Sequence, residues 1–423
     1  MTILVANALL YLLWFIYIYK KEKTVSLYSS LILLILFIAI SAVYSVATGI
    51  YFKTFGNFNL DIIEITPFLL TLLGFIIAFH PLRNIELSDD GFPEFYTSIF
   101  SLFVKFWVVL STAYTVLKIG EASVAISIGL DQVYEARHIS GDTLSYMTYT
   151  NPILSKIAWI GYIVSSSTCP IMLLYSMVNL SQNNNKFLSF YILFLAIASA
   201  IANGIAMGSR GAMVWSVFRL LFIVFLMKDS LSSNYKKMIF GVLGSGLGVV
   251  VLYSVMITIS RVGDTGALDS IIRYFGEPFP NMSFLYWDEV TNHPMGDRFF
   301  PDFVGFNDFV GYSPAEVHNY WGNVTGVPIL NWKILYCDCY IEFGKIGGLL
   351  FLAILSFIFT KLIHYKSINV YNISILFFYF EMCDSSFTGY NAFSNNIIST
   401  AITIAVVDWL MYVFCKRINK IAI

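Results

Sequence analysis

LYSSLILLILFIAISAVYSVATGI, residues 27–50, contains no charged side chain, while Lys20, Lys21, Glu22 and Lys23 stand just before it and Lys53 just after. Wound as an α-helix at about 1.5 Å per residue, such a run crosses the ~30 Å hydrocarbon core of a bilayer. Working outward, comparable apolar runs fall near 3–19, 62–80, 97–118, 155–179, 187–206, 212–227, 238–258, 340–363, 369–383 and 393–415. The pattern predicts an all-α polytopic membrane protein of about eleven transmembrane helices. The first run has no basic segment before it and lysines rather than a small-residue cleavage site after it, so it reads as a retained helix and not a signal peptide.

Composition agrees with that class. Of 423 residues 58% are hydrophobic and 12% charged, against about 25% charged in soluble domains. A formal net charge of -1 provides no basic surface for nucleic acid. No internal repeat, low-complexity tract or separate soluble domain interrupts residues 1–423, which read as a single integral membrane domain. The five cysteines, Cys169, Cys337, Cys339, Cys383 and Cys415, lack the paired spacing of a zinc site and are too few for a disulfide framework. No metal or cofactor is expected.

Lysine and arginine set the orientation, because positively charged short loops stay in the cytoplasm. With the amino terminus outside, short inner segments hold clusters such as Lys20, Lys21 and Lys23, or Lys416, Arg417 and Lys420, amounting to 13 of the 25 cations; much longer outer segments hold 10. The carboxyl terminus is then inside. Two long connections, about 119–154 and 259–339, fall on the outer side. The early one reads as a short amphipathic helix and a turn. The late one, rich in aromatic, Pro, Gly and Asn residues, describes an ordered lid with short helices.

The candidate chemistry lies on the same outer side. Arg210 sits in the turn Gly208-Ser209-Arg210-Gly211 at the start of a span, where backbone amides and the helix dipole favour an anion. Arg261 and Arg273 add cations at the exit and within the late loop, and guanidinium groups suit a diphosphate. Arginines that snorkel to headgroups occupy similar places. Asp338 and Glu342, spaced i, i+4, share one face at a helix start, either as an acid–base pair or as helix-start charges with Glu342 paired to Lys345. His318 and Glu277 complete the acid–base candidates, His318 alternatively being a structural or exposed loop residue. Arg298, farther along the loop, is expected to be neutral to function. Lys105, Arg219 and Asp408 lie within spans, should face protein or water, could pair with one another across the bundle, and read as structural charges.

The hydropathy plan with a large late outer loop, the segment GSRGAM at 208–213, RYFGEPFPN at 273–281, and the pattern Asp338, Tyr340, Glu342, Phe343, Gly344, Gly347 together resemble the O-antigen (oligosaccharide repeat-unit) polymerases of bacterial envelopes, the Wzy family. The resemblance implies an inner-membrane glycosyltransferase whose active site faces the periplasm. It would transfer the growing glycan from undecaprenyl diphosphate to a new lipid-linked repeat unit. Arg210, Arg273 and Arg261 would bind the diphosphate, and His318, Asp338 or Glu277 would deprotonate the acceptor hydroxyl. The implied partners are the undecaprenyl-diphosphate-linked oligosaccharide, membrane lipids, a chain-length regulator and a flippase. Two other readings share the architecture: an O-antigen ligase, and a non-catalytic lipid-linked oligosaccharide flippase or exporter.

Overall fold

A computed structural model describes residues 1–23, 25–56, 63–83, 92–129, 152–208, 211–227, 230–262, 267–300, 314–329, 331–363 and 370–388, besides isolated positions between these segments. Among them every regular element is helical. Six helices are long and apolar enough to cross a membrane, or seven if one bent pair forms a single span. The chain is therefore an α-helical, multi-pass membrane protein. The expected spans near 62–80, 212–227 and 369–383 correspond to shorter apolar helices. Most of the one expected near 393–415 lies outside the described residues.

The chain divides into two compact units: residues 1–84, 262–363 and 379–399 in the first, and 85–261, 364–378 and 400–423 in the second. In unit one, α1 (Thr2–Glu22) pairs with α2 (Leu27–Ala47). Ser26 begins α2 through reciprocal side-chain bonds with Ser29, which satisfy amides the first turn would leave open. Leu4, Asn7, Tyr11 and Ile18 recur on one face of α1 and are buried, while Leu9, Leu13 and Tyr17 are exposed as a lipid-facing side must be. A short α3 (Ile50–Phe55) and α4 (Thr66–Ala78) follow.

The late loop contributes α11 (Ala267–Gly276), α12 (Pro278–Asn281), a π-turn at Met282–Tyr286 and α13 (Pro314–Thr325). It packs into unit one, not merely over it. Phe275 meets Phe37 of α2 edge-on at 5.3 Å, and Phe279 lies 5.6 Å from Tyr11 and 6.2 Å from Phe68, ring centre to ring centre. Asn281 accepts from the Tyr51 hydroxyl at 2.8 Å and donates to the Trp332 carbonyl at 3.0 Å. Aromatic side chains that would be costly in water thus enter the core between α1, α2 and α4.

The span expected from 340 begins earlier, as α14 (Leu335–Ile363), and is broken at Gly344, whose φ of 77° is left-handed backbone that glycine adopts without a Cβ clash. The Tyr336 hydroxyl donates across the break to the Lys345 carbonyl at 3.0 Å. The first nine residues of α14 are thereby set apart from its apolar shaft, and the site is built on them.

Unit two comprises α5 (Ser98–Ile128), α6 (Pro152–Ser167), α7 (Cys169–Ser181), α8 (Lys186–Ala206), α9 (Gly211–Met227), α10 (Ser233–Val262) and the start of α15 (Val370–Thr388). The helix expected to stop at 118 continues to Ile128, taking in residues assigned above to the early loop. The rest of that loop, with its expected turn, lies outside the described residues. What was read as one span over 155–179 is two helices meeting at 57°. Pro170 in the first turn of α7 explains the break, since it supplies no amide to the preceding turn. Ser111 and Ser165 bond at 2.6 Å between α5 and α6, and Thr112 and Tyr191 at 2.9 Å between α5 and α8.

Candidate functional site

Arg298, Asp338 and Glu342 form a buried cluster in unit one, with side chains 4%, 3% and 0% exposed. Arg298 Nε donates to Glu342 Oε2 at 2.9 Å, and a terminal guanidinium nitrogen lies 2.9 Å from Asp338 Oδ1 and 3.1 Å from the Asp338 carbonyl. The other Glu342 oxygen accepts from the backbone amides of Gly296 and Arg298, at 2.7 and 3.2 Å. His293 Nδ1 donates to the Ile341 carbonyl at 2.9 Å, and the Met295 amide to the Glu342 carbonyl at 2.9 Å. Residues 293–298 are thus tied to the short first half of α14. Burial alone would ease the proton off Arg298, but the two carboxylates hold its affinity above the ordinary value.

This arrangement corrects one expectation and adds to another. Arg298, expected to be neutral to function, is the central cation of the cluster. Glu342 pairs with Arg298 and not with Lys345, which instead lies 2.5 Å from Asp288. The shared face of Asp338 and Glu342 was readable from their spacing, whereas an arginine forty residues earlier gives no periodic signal.

A second cation missed from sequence lies close by. Lys333 is buried, its Nζ donating to the carbonyl of Ile329 and, at 3.2 Å, to that of Asn331, with the Tyr286 ring centre 5.9 Å away. Burial pushes its pKa down to about 8, against a pull upward from Asp338. His318, on α13, is half-buried, and burial followed by the charges of Lys333 and Arg298 lowers its proton affinity. The shift favours the neutral imidazole, the form able to accept a proton. Lys333 and Arg298 are within electrostatic reach of both His318 and Asp338.

Glu277 and Arg273 are brought together elsewhere in the unit, as an i, i+4 pair at 3.0 Å; Arg273 also bonds the Thr54 hydroxyl and covers the Tyr274 ring at 4.7 Å. Burial raises the Glu277 carboxyl to about 7, with Arg273 opposing it. Arg210 lies outside the described residues, and Arg261 lies in the last turn of α10 with its side chain outside them.

The buried lysine makes a prediction about stability. An unfolded lysine titrates near 10.5, so between pH 8 and 10.5 the unfolded chain binds the extra proton and folding is favoured as pH rises; below pH 8 that gain is lost. Comparison of thermal midpoints should therefore show wild type gaining on Lys333→Met between pH 8 and 10.5, with a constant gap below pH 8. A pH-independent gap throughout would place Lys333 in water.

Compared with known proteins, the chain matches no family model, no curated protein and no solved structure.

Proposed function

We propose that the protein is a lipid-linked oligosaccharide polymerase of the bacterial inner membrane, with eleven spans, its amino terminus and both long loops periplasmic. The observation that carries this reading is the half-buried His318 within electrostatic reach of the buried cations Lys333 and Arg298, in a late loop that packs into unit one. An acceptor sugar hydroxyl placed against His318 loses its proton to the imidazole as its oxygen attacks the anomeric carbon of the growing glycan. The anomeric bond to the undecaprenyl diphosphate breaks, and the departing diphosphate takes the bonding electrons. Guanidinium groups are suited to stabilise that charge, the role the sequence resemblance assigns to Arg210, Arg273 and Arg261. Arg273, engaged by Glu277 and Thr54, contributes less than the sequence alone suggested, and Asp338 acts as a partner of Arg298 rather than as the base.

In cells, loss of the gene should leave single-repeat glycan on the lipid carrier or on the lipid A core. Long polymer retained on the carrier would instead identify a ligase, and loss of outer-face lipid-linked repeats a flippase. In a purified assay His318→Ala should reduce transfer by about 10²- to 10⁴-fold at normal protein level, the range for a positioned proton acceptor. Wild-type activity should persist from neutral pH to below the ordinary histidine range, because the imidazole resists protonation. Full activity of His318→Ala would remove the mechanism.

A further inference from the structure

Three side chains in the core of unit one carry a polar atom that meets no hydrogen-bond partner among the described residues: Asn7 Oδ1 and the Tyr11 hydroxyl on α1, and the Thr71 hydroxyl on α4. Their side chains are 2%, 0% and 0% exposed. Buried polar groups are nearly always satisfied, by protein or by ordered water, because an unmet one loses its hydration without compensation. Among membrane helices the rule is stricter, since lipid tails offer neither donor nor acceptor.

Ring contacts place the three on one seam. Tyr11 lies 6.2 Å from Phe75, and Trp14, further along α1, lies 6.4 Å from Phe79, just past the end of α4. Both pairs advance in the same direction, so α1 and α4 run parallel here, with position 11 level with 75. Four residues earlier on each helix, on the same faces, stand Asn7 and Thr71. Phe279 of the late segment touches Tyr11 and Phe68, which bracket that level, and so covers this stretch of the seam. No two of the three polar groups are bonded to one another, which leaves the gap that one bridging molecule spans.

The chemistry of the set selects the molecule. It is neutral, offering an anion no charged donor and a divalent cation too few oxygens. Asn7 Oδ1 can only accept, while the hydroxyls of Tyr11 and Thr71 can donate or accept. A water that donates to Asn7 and to Thr71 and accepts from Tyr11 makes three bonds, the usual count for a buried water.

We propose that the seam between α1 and α4 binds a buried water, held by Asn7, Tyr11 and Thr71 and shut in by Phe279. The site uses no residue of the polymerase mechanism and stands whether or not that reading does.

Radiolytic footprinting tests it, because an X-ray pulse turns a bound water into a hydroxyl radical that marks the side chains beside it. The full-length protein in detergent, equilibrated in heavy-oxygen water, is irradiated in a dose series and its peptides are mapped by mass. Tyr11 and Phe279, both buried, should take up heavy oxygen faster than Phe100, a ring of unit two that is equally buried among other aromatic side chains. In the double variant Asn7→Leu with Thr71→Val, where apolar groups of similar shape replace two of the partners, that labelling should fall to the Phe100 level. Thr71→Val alone removes one partner and should slow the labelling, a comparison that remains where the double variant does not elute as a single species. Thr71→Ser keeps the hydroxyl and should label as wild type. Wild-type labelling no faster than that of Phe100 would overturn the proposal, since the three side chains would then meet one another directly. Labelling unchanged by Thr71→Val, or abolished by Thr71→Ser, would overturn it equally.

Discussion

Arg298→Ala should lower the thermal midpoint by on the order of 10 °C, corresponding to about 3–5 kcal/mol for an uncompensated buried charge. The guanidinium stands between two carboxylates that are themselves almost fully buried, at 2.9 Å from each. Without it Asp338 and Glu342 face one another with no water to screen them, and the arginine's own contact with the Asp338 carbonyl is lost as well. Lysine in its place should recover little, since one ammonium cannot reproduce the forked contacts to both side chains. Arg298→Leu combined with Asp338→Leu and Glu342→Gln should recover much of the loss, because the charges leave together and the side-chain carbonyl of the introduced glutamine still accepts from the amides of residues 296 and 298. Fluorescence-detected size exclusion with thermal ramping measures each variant. A single alanine variant within about 2 °C of wild type, a shift of under ~1 kcal/mol, would mean that the cluster is wet.

Gly276→Val should detach the late segment from α2. A Cβ at position 276 would lie 2.5 Å from the Ser41 carbonyl oxygen, 2.7 Å from its carbon and 2.8 Å from the Ala42 nitrogen. All three are helix backbone, which cannot swing aside as a flexible side chain can. Overpacking of this kind costs about 1–3 kcal/mol, and here the upper end is expected because relief requires α11 to rise from α2, parting Phe275 from Phe37 and drawing the buried Phe279 away from Tyr11 and Phe68. Limited proteolysis should then cut within residues 267–300 in the variant and not in wild type. Gly120 is the matched control, since a Cβ there meets nothing within 4 Å; Gly120→Ala should be neutral or stabilising by about 0.5–1 kcal/mol as a helix-favouring change. If Gly276→Ala were as benign as Gly120→Ala, α11 would not sit against α2 as described.

The spans were legible because an uncharged run such as 27–50 has one physical use, and Ser26 and Gly49 even mark its ends. Interruptions were less legible. Pro170 announces a break only if the Ser-Ser-Ser-Thr-Cys stretch before it is not counted as part of a continuous apolar run, and Gly344 resembles the other small residues that let helices approach. At the site, local spacing placed Asp338 and Glu342 on one face, but hydrophobicity and periodicity say nothing about what a face meets. Arg298 and Lys333 carried no pattern at all: they are recognised by being surrounded, which is a tertiary property. Arg219 was visible as a costly intramembrane charge, whereas the Ser166 carbonyl it meets lies at a bend that hydropathy smooths over.

The first unit is discontinuous in the chain, and that has a consequence for how it is made. Tyr11 waits for Phe279, and Tyr51 for Asn281, which lies 230 positions later. As synthesis proceeds from the amino end, the opening helices leave the ribosome with Tyr11, Phe68 and Tyr51 lacking their late partners, and every residue of 85–261 must be made before the aromatic segment that meets them emerges. During that interval the waiting face can be shielded only by lipid or by the insertion machinery. A nascent chain halted after residue 261 would accordingly keep its early helices exposed to proteases and quality control, however well each one crosses the bilayer.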